Sequence, residues 1–116
     1  MVKLGADGVI LVQLLPPSTP PTSAALPPGT IVSRGTGAVG GILVRHFPAE
    51  VISQEDIVSV NGAGDTFLGV VLAGLAKVGV NGVHVEEVIS RAQKAAWLTL
   101  RSPESVSGRV VEIGWR

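Results

Sequence analysis

The 116-residue chain contains no cysteine and no tyrosine, a single methionine and only 3% aromatic residues. Without cysteine it can build no disulfide framework, no thiolate zinc site and no cysteine nucleophile. Charge is scarce too. Asp, Glu, Lys and Arg make up 16% of the residues and sum to a formal net charge of +0, where roughly a quarter is usual. A chain this neutral has no electrostatic claim on nucleic acid or on an anionic membrane surface. The N-terminus, Met1-Val2-Lys3-Leu4-Gly5, lacks the apolar core of a signal peptide. The longest apolar run, after Asp65, is broken by Gly74, Lys77 and Gly79 and is too short to span a bilayer. These absences predict a soluble, cytoplasmic protein with neither membrane nor nucleic-acid partners. What the chain has in plenty is aliphatic surface. Hydrophobic residues reach 46% and mean hydropathy is +0.47, and the length suffices for one small domain.

The most informative stretch is Ser59-Val60-Asn61-Gly62-Ala63-Gly64-Asp65-Thr66-Phe67-Leu68-Gly69. A glycine-rich turn and one carboxylate open an apolar run, Val70, Val71, Leu72, Leu75, Ala76 and Val78, that reads as a helix to about Gly79, buried on most sides. Asp65 then stands at the helix start, where the first N–H groups have no intrahelical partner. Gly62 and Gly64 allow close approach of a ligand to the backbone. Open amides and the positive end of the helix dipole make an anion site. A carboxylate there suits a base that takes a proton from a nucleophile attacking a phosphate. Asp is also a common N-cap, and a lone G-x-G-D most often means no more than that.

Elsewhere the pattern is β-like. Val2 to Leu4 and Val9 to Leu15 flank the turn Gly5-Ala6-Asp7-Gly8 as a hairpin. Residues 16–29, with Pro16-Pro17, Pro20-Pro21 and Pro27-Pro28, read as a low-complexity surface insertion that cannot join a central sheet. Its P-x-x-P has no flanking basic residue to make it a docking ligand. Thr30 to Ser33 is a brief strand. The glycine-rich loop from Arg34 to Gly41 leads into another strand, Ile42 to Phe47, and not into a helix, so it is no dinucleotide fingerprint. His46 has no acid or nucleophile beside it and reads as structural. Ile57, Val58 and Val60 suggest a short extended run behind solvent-facing Glu55 and Asp56. A second helix is expected from about Val85 to Leu100. Its stripe is Val85, Val88, Ile89, Ala92, Ala95, Ala96 and Thr99, with Glu86, Ser90, Arg91 and Lys94 facing away. Glu86 and Glu87 in its first turn and Arg101 at its end suit the dipole. Trp97 lies off the stripe, either half exposed or meeting a surface the chain lacks. Val110 to Ile113 reads as a last strand with Trp115 beside it.

The string N-G-A-G-D-T-F-x-G opening an apolar helix resembles a signature of the ribokinase-like, PfkB-type carbohydrate and nucleoside kinases. The resemblance covers most of the chain outside residues 16–41. It implies an α/β fold, the C-terminal portion of a three-layer sandwich, incomplete here because the N-terminal half is absent. It makes Asp65 the catalytic base and Gly62, Ala63 and Gly64 the anion hole. It places Gly5, Ala6, Asp7 and Gly8 near the nucleotide phosphates, with Lys3 where the family has Thr or Ser. It puts Gln93 near the adenine, where the alternative is an ordinary exposed helix residue. ATP and Mg2+ are implied. The magnesium-positioning Asn-x-x-Glu motif and the sugar-binding residues do not occur in this sequence, so no metal ligand is assigned to it. In the family the turn around Arg101 to Ser105 helps hold a monovalent cation, and Ser59 stands where an Asp is usual. Ser59-Val60 and Val70 depart from the family wording. The proline-rich insertion and the S-V-N-G-A-G-D-T-F-L-G wording look closest to the kinase portion of fungal pseudouridine-metabolising proteins. Three readings follow: an ATP-dependent sugar or nucleoside kinase, an inactive nucleotide-binding relic, or a structural half-domain completed by its missing half or by a second copy.

Overall fold

The computed structural model describes residues 1–17, 29–35, 37–78 and 82–113. They fall into two compact units, Met1–Ala49 and Glu50–Arg116. The first is a sheet. Strands β1 (Val2–Lys3), β2 (Val9–Leu15), β3 (Thr30–Arg34) and β4 (Gly41–Phe47) pair in the order β1-β2-β4-β3, every pairing antiparallel. The central pairing runs from Val9 opposite Phe47 to Leu15 opposite Gly41. Strand side chains alternate between faces. Val9, Leu11, Leu15 and Leu43 are therefore buried on one face, together with Arg45, whose guanidinium lies 4.8 Å from the Phe47 ring. The other face carries Ile10, Val12, Leu14, Ile42 and Val44, and it is as aliphatic as the first. Val12 and Leu14 on it are exposed, Leu14 by 66%. An antiparallel sheet usually keeps one polar face toward water. This one does not.

The hairpin and the three longer strands are where the alternation and β-branched content place them. β4 begins one residue earlier than expected, β3 runs one residue longer, and β3 carries an irregularity between Ile31 and Ser33. The loop from β3 to β4 is closed by Gly35 N–H to Gly40 O (3.2 Å) and anchored by Gly40 N–H to Leu15 O (2.9 Å). It enters a strand, as read. Most of the proline-rich insertion, residues 18–28, lies outside the described residues.

The second unit is built on helices α1 (Ala63–Val78) and α2 (Gly82–Leu100), which pack on each other. Val85, Val88, Ile89, Ala92, Ala95, Leu98 and Thr99 are buried along α2, a stripe at helical spacing, while Glu86, Ser90 and Lys94 are exposed. Arg91 is half-buried because it also reaches inward, donating to Ile113 O at 3.2 Å as well as to Glu87.

Four expectations are corrected here. First, α1 is not buried on most sides. Thr66, Phe67, Val71 and Gly74 form its buried stripe, and Leu68, Gly69, Leu72, Ala73 and Ala76 stay exposed. An apolar run marks a helix that can be buried all round, but only neighbouring elements bury it. Second, α2 starts at Gly82, so Glu86 and Glu87 fall in its second turn, beyond the strong part of the dipole. Third, residues 108–113 form a 3₁₀ turn, Gly108–Ile113, and not a strand. This unit offers no strand edge among its described residues, so local bonds such as Val110 N–H to Ser107 O (3.0 Å) prevail. Fourth, residues 57–60 form no strand. Val58 N–H and Ser59 N–H both turn to Leu100 O, at 2.8 and 3.2 Å. A β-like sequence is here used to satisfy an orphan carbonyl at the end of α2. Trp115 is outside the described residues.

Candidate active site

The glycine turn is shaped from both sides by its own unit. Gly62 has φ +80°, a conformation L side chains rarely adopt. A Cβ there would lie 1.8 Å from Ser105 O, so the backbone after α2 occupies the space a side chain would need. Close approach at Gly62 is thus to the protein's own chain. Asn61 ties the same neighbours together: its N–H meets Ser59 Oγ at 3.2 Å and its Nδ2 donates to Ser105 Oγ at 3.3 Å. Gly62 O accepts the first helical bond, from Thr66 N–H at 2.8 Å. Gly62 is therefore the N-cap. The N–H groups of Ala63, Gly64 and Asp65 come before the helical ladder starts.

Asp65 is the third residue of α1 and not its cap. It is exposed, and its carboxylate makes no hydrogen bond or ion pair among the described residues. The capping alternative is thereby displaced: the polar work of ending the helix falls to Gly62 and to the loop. A first-turn acid still gains from the helix dipole, about 0.3–1 kcal/mol for an exposed group.

Directly after Asp65 comes a feature the sequence reading did not single out. Thr66 and Thr99 are buried, and Thr99 Oγ1 donates to Thr66 Oγ1 at 3.3 Å. Ser107, also buried, donates its N–H to Thr99 Oγ1 at 3.3 Å. The signal was available. A threonine in an otherwise Val/Ile/Ala stripe must find a partner, since an unpaired buried hydroxyl costs about 1–3 kcal/mol.

The remaining candidate residues are placed as follows. Gly5–Asp7 is a 3₁₀ turn of the sheet unit, fully exposed. Leu4 N–H bonds to Gly8 O at 2.8 Å, Asp7 N–H to Leu4 O at 3.2 Å and Gly8 N–H to Gly5 O at 3.1 Å. His46 Nε2 donates to Asp7 O at 2.6 Å, since a carbonyl can only accept. Gln93 is half-buried in the middle of α2, six residues and about 9 Å of helix rise before Thr99. Trp97 is half-buried too. Its Nε1 donates to Val51 O at 3.3 Å and Arg101 lies 4.5 Å from its ring, which accounts for its place off the stripe. A cleft of about 370 Å³ lined by Leu98, Arg101, Ser102, Pro103, Glu104, Ser107, Gly108 and Arg109 opens beyond the loop, and no residue of the 59–65 turn lines it.

A glycine N-cap held at positive φ, amides ahead of a helical ladder and an exposed carboxylate in that turn are the geometry of phosphate chemistry. The family model of the pfkB family carbohydrate kinases matches residues 1–110, both units included. The chain belongs to the pfkB family. Neither the curated proteins nor the solved structures compared with it give a match. Its sheet and helices are those of a partial pfkB, ribokinase-like α/β fold. At the family level this is a kinase, a transferase acting on a small carbohydrate-like substrate. No helix among the described residues is long and apolar enough to cross a membrane. Among the described residues no three His, Asp or Glu side chains come together as metal ligands, so this pfkB chain does not itself fit a magnesium centre.

Proposed function

We propose that the chain supplies the phosphoryl-transfer end of an ATP-dependent sugar or nucleoside kinase, with Asp65 as general base and the Gly62–Asp65 turn as anion hole. The observation that supports it most is the position of Asp65: exposed, without a partner among the described residues, in the first turn of α1 beside amides that precede the ladder. The substrate hydroxyl oxygen attacks the γ-phosphorus in line and its proton passes to the Asp65 carboxylate. The bond from the γ-phosphorus to the bridging oxygen breaks and ADP leaves. The turn's N–H groups stabilise charge on the transferring group. Magnesium in such reactions rides largely on the nucleotide phosphates. The proline-rich insertion and the wording around Asp65 make a pseudouridine-like nucleoside the first substrate to try, followed by pentoses and hexoses.

A second reading has its own support. The sequence contains no Asn-x-x-Glu, and each unit leaves an aliphatic face in water. Under that reading the chain is a half-domain that turns over only when completed by further sequence or a second copy. The experiment that separates them is ADP release with ATP, magnesium and the substrate panel, run beside an ATP titration followed at the amides of residues 62–65. Turnover supports the first reading. Binding without turnover supports the second. Neither binding nor turnover removes the anion hole from both.

A further inference from the structure

We propose that Thr99 is a positioning residue for the phosphate-binding turn, its buried hydroxyl setting the rotation of the first turn of α1 and with it the direction of Asp65. The proposal rests on the anion-hole reading above. Thr99 sits in the last turn of α2, is fully buried, and shares its stripe with Val85, Val88, Ile89, Ala92 and Ala95. An apolar residue would fill that place without the cost of hiding a hydroxyl. What valine would lack is direction. Apolar contact is non-directional, whereas a hydrogen bond holds its partner along one line.

That line leads to the site. Thr99 Oγ1 donates to Thr66 Oγ1, and Thr66 is both the residue after Asp65 and the donor of the first helical bond, to Gly62 O. Successive helical residues are rotated by about 100°. Holding Thr66 toward α2 therefore turns Asp65 away from it, and Asp65 is exposed as this requires. From the other flank, the backbone of Ser105 lies against Gly62 and its hydroxyl meets Asn61. Ser107 N–H returns to Thr99 Oγ1, so one short segment, 99–107, holds both sides of the turn.

The test uses the whole ¹⁵N-labelled chain as wild type, Thr99→Val and Thr99→Ser. The readouts are amide exchange at Thr66 and Phe67, amide exchange at Ile89 and Ala92 in mid-α2, the melting temperature, and the shifts of residues 61–65 on titration with inorganic phosphate. Thr99→Val keeps shape and removes the hydroxyl. It should speed exchange at Thr66 and Phe67 by about tenfold or more while mid-α2 keeps its protection, the pattern of a local opening. It should also weaken the phosphate response of residues 61–65 several-fold, and Thr99→Ser should restore both. Unchanged first-turn exchange in Thr99→Val overturns the proposal. So does a loss spread evenly over both helices that Thr99→Ser fails to restore, because that is packing alone. If Thr99→Val does not fold, Thr66→Val removes the same hydrogen bond from the other side and is read in the same way. Absence of any phosphate shift in the wild type removes the anion hole, and the exchange data still decide the role of Thr99.

Discussion

Two turns of this molecule use nearly the same residues in different order: Gly5-Ala6-Asp7-Gly8 in the sheet unit and Gly62-Ala63-Gly64-Asp65 in the helical one. Both need glycine for the same reason. Gly8 (φ +93°) and Gly62 (φ +80°) each lie where a Cβ would strike the protein's own backbone, 2.0 Å from Phe47 O and 1.8 Å from Ser105 O. They differ in what comes next. The first turn closes on itself: Asp7 and Gly8 give their N–H groups to Leu4 O and Gly5 O, and a strand follows. The second opens a helix, whose first amides have no carbonyl one turn back. Glycine content alone therefore does not make an anion site. The element that follows decides whether the amides are used up or left to face a ligand.

The sharpest test of that contrast is to neutralise the carboxylate in each turn. Asp65→Asn keeps size and removes the proton acceptor. In an assay showing ADP release, kcat should fall by about 10²–10⁴. Since Asp65 is a first-turn acid and not the cap, stability should fall by no more than about 0.3–1 kcal/mol. Asp7→Asn, in the closed turn, should leave kcat and ATP affinity unchanged. An unchanged kcat in Asp65→Asn would make Asp65 a helix-dipole residue and nothing more.

Next in size is the glycine pair. Alanine at Gly62 or at Gly8 combines a left-handed backbone penalty of about 1–2 kcal/mol with overpacking of about 1–3 kcal/mol. Each should lower the unfolding free energy, measured by urea titration, by roughly 2–5 kcal/mol. Only Gly62→Ala should also abolish the phosphate response of residues 62–65. Equal loss of that response in Gly8→Ala would erase the distinction between the turns.

How far these features were legible in the sequence differs by kind. The strands were legible because β2 and β4 alternate within β-branched runs, and α2 because its stripe repeats at 3.6 residues. Asp65 and its glycines were legible as a string, but their mechanics were not. That Ser105 fills the space beside Gly62 and that Thr99 reaches Thr66 are contacts 43 and 33 residues apart, and no local pattern encodes them. Residues 57–60 and 108–113 misled for a related reason. Their β propensity is real, but propensity needs a strand edge to pair with, and the helical unit gave them the Leu100 carbonyl and local turns instead.

A smaller effect is expected at His46. Its ring bonds Asp7 O from an exposed position, so His46→Ala should cost about 1 kcal/mol or less. It should leave the response of residues 62–65 to phosphate untouched. A larger loss confined to that response would mean that the closed turn takes part in phosphate binding after all.

The smallest effect on stability, and the one most telling about the two units, concerns their open aliphatic faces. Leu68 and Leu72 on α1 are exposed, Leu72 by 59%, and Val12 and Leu14 on β2 are exposed as well. Removing apolar surface that is already in water forfeits almost no burial. Leu72→Gln and Leu14→Thr should thus shift the unfolding free energy by no more than about 0.5 kcal/mol. Their visible consequence lies between molecules. Contiguous exposed aliphatic surface drives association, so wild-type chain should sediment as a concentration-dependent distribution, and the double variant should move toward monomer. If the variants lose stability well beyond that bound, these faces are covered in solution and a companion surface exists. If sedimentation is unchanged and stability is too, the faces are simply tolerated in water, and the half-domain reading loses the observation that favours it.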